Sequence, residues 1–248
     1  QKPRGQRRVS PLTRARRVVA QRVWDASHLA AGLLLIAALA ALIFVFVSLD
    51  FYVFSAAIVD AAYTSEDAAY EVSNVRNQSI FYLDPPKIAA NVQTLPHVRS
   101  ASVRLSLPNR VHIQVQERQP TILYQVLGAS YWVDDEGVIA PAVAQKEGLI
   151  KLIDDDGAAA SQAGAQLDAA ILQAVHYIHT TLPQVTTFRY QRPYGLYFFS
   201  PEGWRVNLGE AADMDAKLKR WEAVRRQIAA EGALLSEIDL RFKTPFWH

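Results

Sequence analysis

The chain has 248 residues, half of them hydrophobic, and no cysteine. That composition excludes general disorder, disulfide staples, thiolate metal sites and cysteine nucleophiles, so the fold must rest on core burial. The net charge of +2 conceals a division: Gln1 to His28 holds eight basic residues and one acid, Asp25, while the remainder holds 18 basic and 23 acidic residues.

The reason for that division follows in the next stretch. Leu29 to Leu49, LAAGLLLIAALAALIFVFVSL, runs 21 residues without a charge. At about 1.5 Å per residue it reaches roughly 31 Å, against a hydrocarbon core of about 30 Å. Asp50 to Asp84 then carries six acids and one base, Arg76. The charge bias places the N-terminus in the cytoplasm and the rest outside, as a single-span anchor. A cleaved signal peptide has a shorter apolar region, and a buried core helix is seldom apolar all round. The basic tail at 1–28 lacks interleaved aromatics and contains Pro3, Gly5 and Pro11. It reads as a topology signal with lipid contact, not as a nucleic-acid arm.

Beyond the span, FYVFSAAIVD is fit for a first strand. Thr64-Ser65-Glu66-Asp67 is a helix start, and a short helix is expected to about Asn74. After the connector NQSIFYL, Asp84-Pro85-Pro86 opens a second helix with Ile88, Val92 and Leu95 on one stripe, stopped by Pro96. From Val98 to Glu117, Ala101, Val103, Leu105 and Leu107 alternate with polar residues before Pro108-Asn109. Val111, Ile113 and Val115 alternate after it. This period of two predicts an antiparallel hairpin with one apolar face. Strand, helix, helix, strand, strand suits a three-stranded sheet covered on one face by two helices, with at least one open edge.

After Pro120 the chain predicts an α+β unit of antiparallel strands with segregated helices. TILYQV, SYWVDDEGVIAPA and LIKLIDDDG are strands and turns, and Ala158 to Gly164 is a surface loop. A helix is expected over Leu167 to Leu182. The strands QVTTFRY, GLYFFS and WRVNL follow, then a helix from about Asp213 to Glu231. Met214, Leu218, Trp221, Val224 and Ile228 form the stripe of that helix, with Gly232 as its stop. The last strand, LLSEIDLRF, puts Ile238, Leu240 and Phe242 on one face and Glu237, Asp239 and Arg241 on the other.

Chemistry is sparse. His176 and His179 lie three apart on a helix, but the pattern supplies no third metal ligand, and a partly buried pair is the better reading. The runs Asp134–Glu136 and Asp154–Asp156 each precede a glycine and lack the EF-hand spacing, which suits hairpin turns. No G-x-S-x-G, S-x-x-K, H-E-x-x-H or phosphate-binding glycine loop occurs. No catalytic residue, cofactor, metal or small-molecule substrate is expected. The final strand and the tail, KTPFWH, fit two readings equally on pattern: an edge guarded by charges, or a docking edge whose backbone binds a partner strand. In the second reading Ile238, Asp239, Leu240, Arg241, Phe242, Phe246 and Trp247 are the candidate contacts.

The segments SIFYLD, LPHVRSASVRLSLPNRVHIQVQERQP, YWVDDEGVI, KLKRWEAVRRQI and EIDLRF resemble the bacterial cell-division family FtsQ/DivIB. The similarity runs from the span to the C-terminus and is most specific over Leu95–Pro120. The chain departs from the family pattern at His97, where tryptophan is common, at Leu107-Pro108 in place of Trp-Pro, and at Asp60-Ala61-Ala62, where a glycine is usual. The resemblance implies a non-enzymatic bitopic scaffold at the division septum: tail 1–28, span 29–49, POTRA module 50–120 and β domain 121–248. It implies FtsB-like and FtsL-like membrane proteins, and other divisome components, as partners. The strand ending at Phe242 is then the edge that receives the FtsB-like strand, with Arg241, Phe242 and Trp247 as anchors. A rival reading is an envelope assembly or secretion protein that uses a POTRA module on client polypeptides. Those chains continue into barrel strands, which are lacking here.

Overall fold

The computed structural model describes residues 11–157, 159, 166–231, 236–242 and 246–247. The expected loop at Ala158–Gly164, apart from Ala159, and the expected helix stop at Gly232 lie outside the described residues. Helix α1 spans Pro11–Val47, and its stretch His28–Val47 is long and apolar enough to cross a membrane. Ser48 ends the run: its hydroxyl accepts from the Asp50 N–H at 3.2 Å and starts a 3-10 turn, Leu49–Phe51.

The chain divides into two compact units, the first comprising residues up to Ala56 with Val75–Leu83 and Leu105–Val111. In it, β1 (Tyr52–Val53) pairs with β3 (Gln78–Ser79), and the Asn77 N–H donates to the Val53 carbonyl at 2.9 Å. A 3-10 turn, Ile80–Tyr82, follows. The expected first strand is therefore interrupted: Phe54 and Ser55 separate β1 from β2 (Ala56–Val59), and the two strands join different sheets.

The second unit holds Ala57–Asn74, Asp84–Arg104 and everything from His112 onward. Helix α2 (Glu66–Ser73) starts where the acids predicted, with the Ser65 hydroxyl accepting from the Ala68 N–H and Asn74 closing the helix in the left-handed region. Helix α3 (Pro85–Val92) begins at the proline pair, which has no N–H to leave unsatisfied. Strands β4 (Val98–Ser106) and β5 (Arg110–Glu117) form the hairpin, and β2 lies beside β5 in the order β2-β5-β4. The alternation holds, with Val111, Ile113 and Val115 buried and His112, Gln114 and Gln116 exposed.

Among the described residues the large sheet has nine strands. They are β6 (Pro120–Val126), β7 (Ala129–Asp134), β8 (Ile139–Pro141), β9 (Ile150–Asp154), β10 (Thr187–Gln191), β11 (Gly195–Phe199), β12 (Arg205–Gly209), β13 (Glu237–Asp239) and β14 (Phe246–Trp247). Their order is β14-β13-β12-β11-β10-β9-β6-β7-β8. The α+β layout is as expected, but the sheet is mixed, not antiparallel: β6–β9, β9–β10 and β12–β13 are parallel. The last two of these joins are crossovers through helices α4 (Ala169–Thr181) and α5 (Met214–Glu231), whose length allows the chain to return in the same direction.

Both helices bury their stripes in one core with the sheet. Ile171, Val175 and Ile178 of α4 and Leu218, Trp221, Val224 and Ile228 of α5 join Ile122, Leu152, Phe188, Phe198, Val206, Ile238 and Leu240. Trp221 stands edge-on to Phe198 at 5.8 Å. Each such aliphatic or aromatic side chain contributes about 1.5–3 kcal/mol on burial, which compensates for the missing disulfides.

Candidate partner-binding edge

The candidate site begins with two buried apolar residues. Ile238 and Leu240 are fully covered by the core, and the Leu240 N–H donates to the Asn207 carbonyl at 2.9 Å, which continues the parallel join beyond β13. Between them, Asp239 points its carboxylate forward. It accepts from the Arg241 backbone N–H at 2.9 Å and from the Arg241 guanidinium at 2.6 and 3.0 Å. Burial pushes the Asp239 carboxyl up, but these bonds outweigh it and hold the group below the usual carboxylate range.

That local bond bends the chain out of the sheet. A side chain two residues back replaces the ladder partner of Arg241, so the alternation stops at Leu240. Phe242 was expected on the core face; it is 62% exposed instead. The Arg220 guanidinium donates to the Phe242 carbonyl at 2.5 Å and holds the turn from α5. The Arg241 guanidinium lies over the rings of Tyr194 and Phe242, at 5.6 and 5.7 Å. Gly209 makes room for it: φ is +72° there, and a Cβ would stand 2.7 Å from the Arg241 Cγ. Arg205, stacked at 4.1 Å over Tyr197, donates to Asn207, whose amide donates to Glu237.

Arg241 and Phe242 line the mouth of a cleft of about 840 Å³ that also takes in Tyr190, Tyr194, Lys217 and Arg220. Lys217 is buried and donates to the Glu210 carbonyl at 2.6 Å; burial, with Arg220 nearby, lowers its pKa. The lining mixes Arg192, Lys217, Arg220 and Arg241 with Asp168, Glu210 and Asp213. Such a mixture suits a polypeptide surface that carries acidic and aromatic side chains.

The pattern over 234–242 predicts an open sheet edge; the structure differs, because β13 covers only Glu237–Asp239 and its outer side is taken by β14, with Ile238 opposite Trp247 and Asp239 opposite Phe246. The physical reason is the turn at Asp239 and Arg241, which ends β13 and lets the tail come back antiparallel. Of the seven candidate residues, the structure thus brings Arg241 and Phe242 to the surface, places Ile238 and Leu240 in the core, and uses the backbone of Phe246 and Trp247 to cover the edge. Sequence reasoning missed Tyr194, Gly209 and Arg220, because nothing in their own neighbourhoods marks them; strand order puts the first two beside Arg241, and the packing of α5 brings Arg220 to the Phe242 carbonyl.

The other candidates have structural roles. His176 Nε2 lies 3.2 Å from the Thr121 hydroxyl and His179 Nδ1 lies 2.9 Å from the Val185 carbonyl, so the pair is engaged separately. Burial and the neighbouring His179 lower the pKa of His176. Asp134 accepts from the N–H groups of Glu136 and Val138, and Asp154 from those of Gly157 and Ala159; both acid runs are turn supports. Among the described residues, no group of three or more acidic or histidine side chains is placed to hold a metal ion.

Comparison with known proteins covers both halves of the chain. Residues 57–118 match the model of the POTRA domain, FtsQ-type, and residues 122–241 match that of the cell division protein FtsQ/DivIB, C-terminal. A cell division protein FtsQ of Chloroflexus aurantiacus is 28% identical over 89% of this chain and 82% of its own length. One from Myxococcus fulvus is 30% identical over 66% of this chain and 59% of its own. A cell division protein DivIB of Clostridium acetobutylicum is 30% identical over 33% of this chain and 32% of its own. With both of its extramembrane stretches, 57–118 and 122–241, matched by models of this kind, the chain belongs to the FtsQ/DivIB family of bacterial cell division proteins.

Proposed function

We propose that the protein is a non-catalytic scaffold of the divisome, anchored by the helix within 29–49, with its N-terminus in the cytoplasm and its later residues outside. The domain limits we assign are 50–120 for the POTRA module and 121–248 for the β domain. The β domain binds FtsB-like and FtsL-like membrane proteins at the septum, and their assembly relays division status to septal wall synthesis. The observation that carries this reading is Phe242, exposed beside a stacked arginine where the sheet ends in a strand of two residues. Aromatic side chains and arginine are each enriched at protein interfaces, and a short outer strand leaves a backbone template within reach.

The incoming strand pairs with β13 and takes the place of β14. The anchor contributes as well: partners held in one membrane meet at high effective concentration, so a modest edge contact suffices. The match of 122–241 to the FtsQ/DivIB C-terminal model favours this function over envelope assembly on client polypeptides. The test is co-purification of the full chain with the FtsB-like protein of the same cell, using Phe242→Asp. The variant keeps its fold because the ring is solvent-exposed, and it loses the partner. Retention of the partner at the wild-type level removes the edge as the docking site.

A further inference from the structure

A second surface lies where the span ends. The stretch His28–Val47 has 20 residues and rises about 30 Å, the thickness of a hydrocarbon core. Phe46 therefore sits at the outer boundary of the apolar layer. Its ring lies 5.6 Å from that of Phe81 and 6.4 Å from that of Tyr82, and Phe81 lies 5.3 Å from Phe51. Residues more than 30 positions downstream are thus held against the end of the membrane helix.

Their position is tied by the backbone. The turn from Ser48 through Phe51 runs directly into β1, and β1 pairs with β3, which leads into the Ile80–Tyr82 turn. No free linker separates the span from this segment. Tyr82 is 73% and Phe54 57% exposed, and Leu49 and Leu107 of the same unit are exposed too. Across 29–56, 75–83 and 105–111 the only charged residues are Asp50, Arg76 and Arg110. A globular surface facing water does not spend its exposed positions this way, whereas the Tyr82 ring, with its polar tip, favours the headgroup layer and phenylalanine rings favour the boundary between headgroups and acyl chains.

We propose that Phe46, Phe51, Phe54, Phe81 and Tyr82 form an aromatic collar seated in the outer headgroup region of the bilayer, so that the first unit binds the lipid surface in addition to being tethered to it. The occupant is the membrane itself, because the collar is continuous with the helix that crosses it. The inference rests on the reading of α1 as an anchor and extends it: the segment 77–82 fixes the height and tilt of the unit above the lipid, which a tether alone does not.

The absence of cysteine makes the test direct. In the full chain, Tyr82→Cys and Leu35→Cys are made separately and labelled with a nitrobenzoxadiazole probe. Each is reconstituted in vesicles of phosphatidylcholine and phosphatidylglycerol carrying nitroxide at carbon 5 or carbon 12 of the acyl chain. The probe at 82 is expected to show a blue-shifted emission and stronger quenching by the shallow nitroxide than by the deep one, with the reverse order at 35. Water-like emission at 82 without quenching by either nitroxide, together with deep quenching at 35, overturns the collar and leaves the anchor standing. Water-like emission at both positions overturns the anchor reading and the collar with it.

Discussion

If a partner strand replaces β14, then releasing β14 must strengthen binding. Phe246→Pro with Trp247→Pro removes both backbone N–H donors from the strand that covers β13 and forces a conformation unsuited to the ladder. The register pairs two residues, Ile238 with Trp247 and Asp239 with Phe246, so one or two ladder hydrogen bonds are lost. At about 0.5–1.5 kcal/mol net for each bond, the cover is worth about 0.5–3 kcal/mol. A competitor that must displace it gains up to that amount when it is absent, and at about 1.4 kcal/mol per tenfold this corresponds to roughly 2- to 100-fold tighter binding. The core is untouched, because the side chains of Ile238 and Leu240 are buried in the cluster that the sheet forms with the two helices, and β13 keeps its pairing with β12. The assay is titration of the FtsB-like extracytoplasmic segment onto the full chain in nanodiscs, wild type against the double variant. A tighter dissociation constant with unchanged thermal unfolding is the expected result. Weaker binding with an unchanged fold refutes the displacement and makes the tail a contact in its own right.

Two further outcomes follow from charge. Arg118 donates at 2.6 Å to the carboxylate of Asp134, which is only 2% exposed, and also to Glu136; Arg118→Met leaves that buried carboxylate short of its countercharge and costs about 3 kcal/mol, read as a lower urea midpoint. The pKa of Asp239 is lower folded than unfolded, so its contribution to the edge is present above the unfolded value of about 4 and is lost as pH falls through the folded value. Hydrogen exchange at the Leu240 amide should quicken only in strong acid, whereas in Arg241→Met, where the backbone N–H of residue 241 is left without the guanidinium to offset burial of Asp239, it quickens at higher pH. The same onset in both chains refutes the role given to that pair.

What the sequence by itself determined is what neighbouring residues decide together. The membrane-length apolar helix follows from 21 uncharged residues, the hairpin from its period of two, and the start of α2 from Ser65 and the acids after it, since each depends on hydrogen bonds or burial within a few positions. The stripe of α5 was legible for the same reason, and its five residues are all buried. Three things belonged to the tertiary structure. Strand direction was one, because whether β9 and β10 or β12 and β13 run parallel depends on how an intervening helix packs and not on the pattern of either strand. The split of FYVFSAAIVD was another: β1 and β2 are continuous in composition, and only their partners, β3 and β5, separate them. The last was the site. Alternation placed Phe242 inward with Ile238 and Leu240, but the Asp239 carboxylate caps the Arg241 N–H and turns the ring to solvent. Tyr194, Gly209 and Arg220 reach the same corner from three separate elements, and their approach depends on long-range packing that no local pattern encodes.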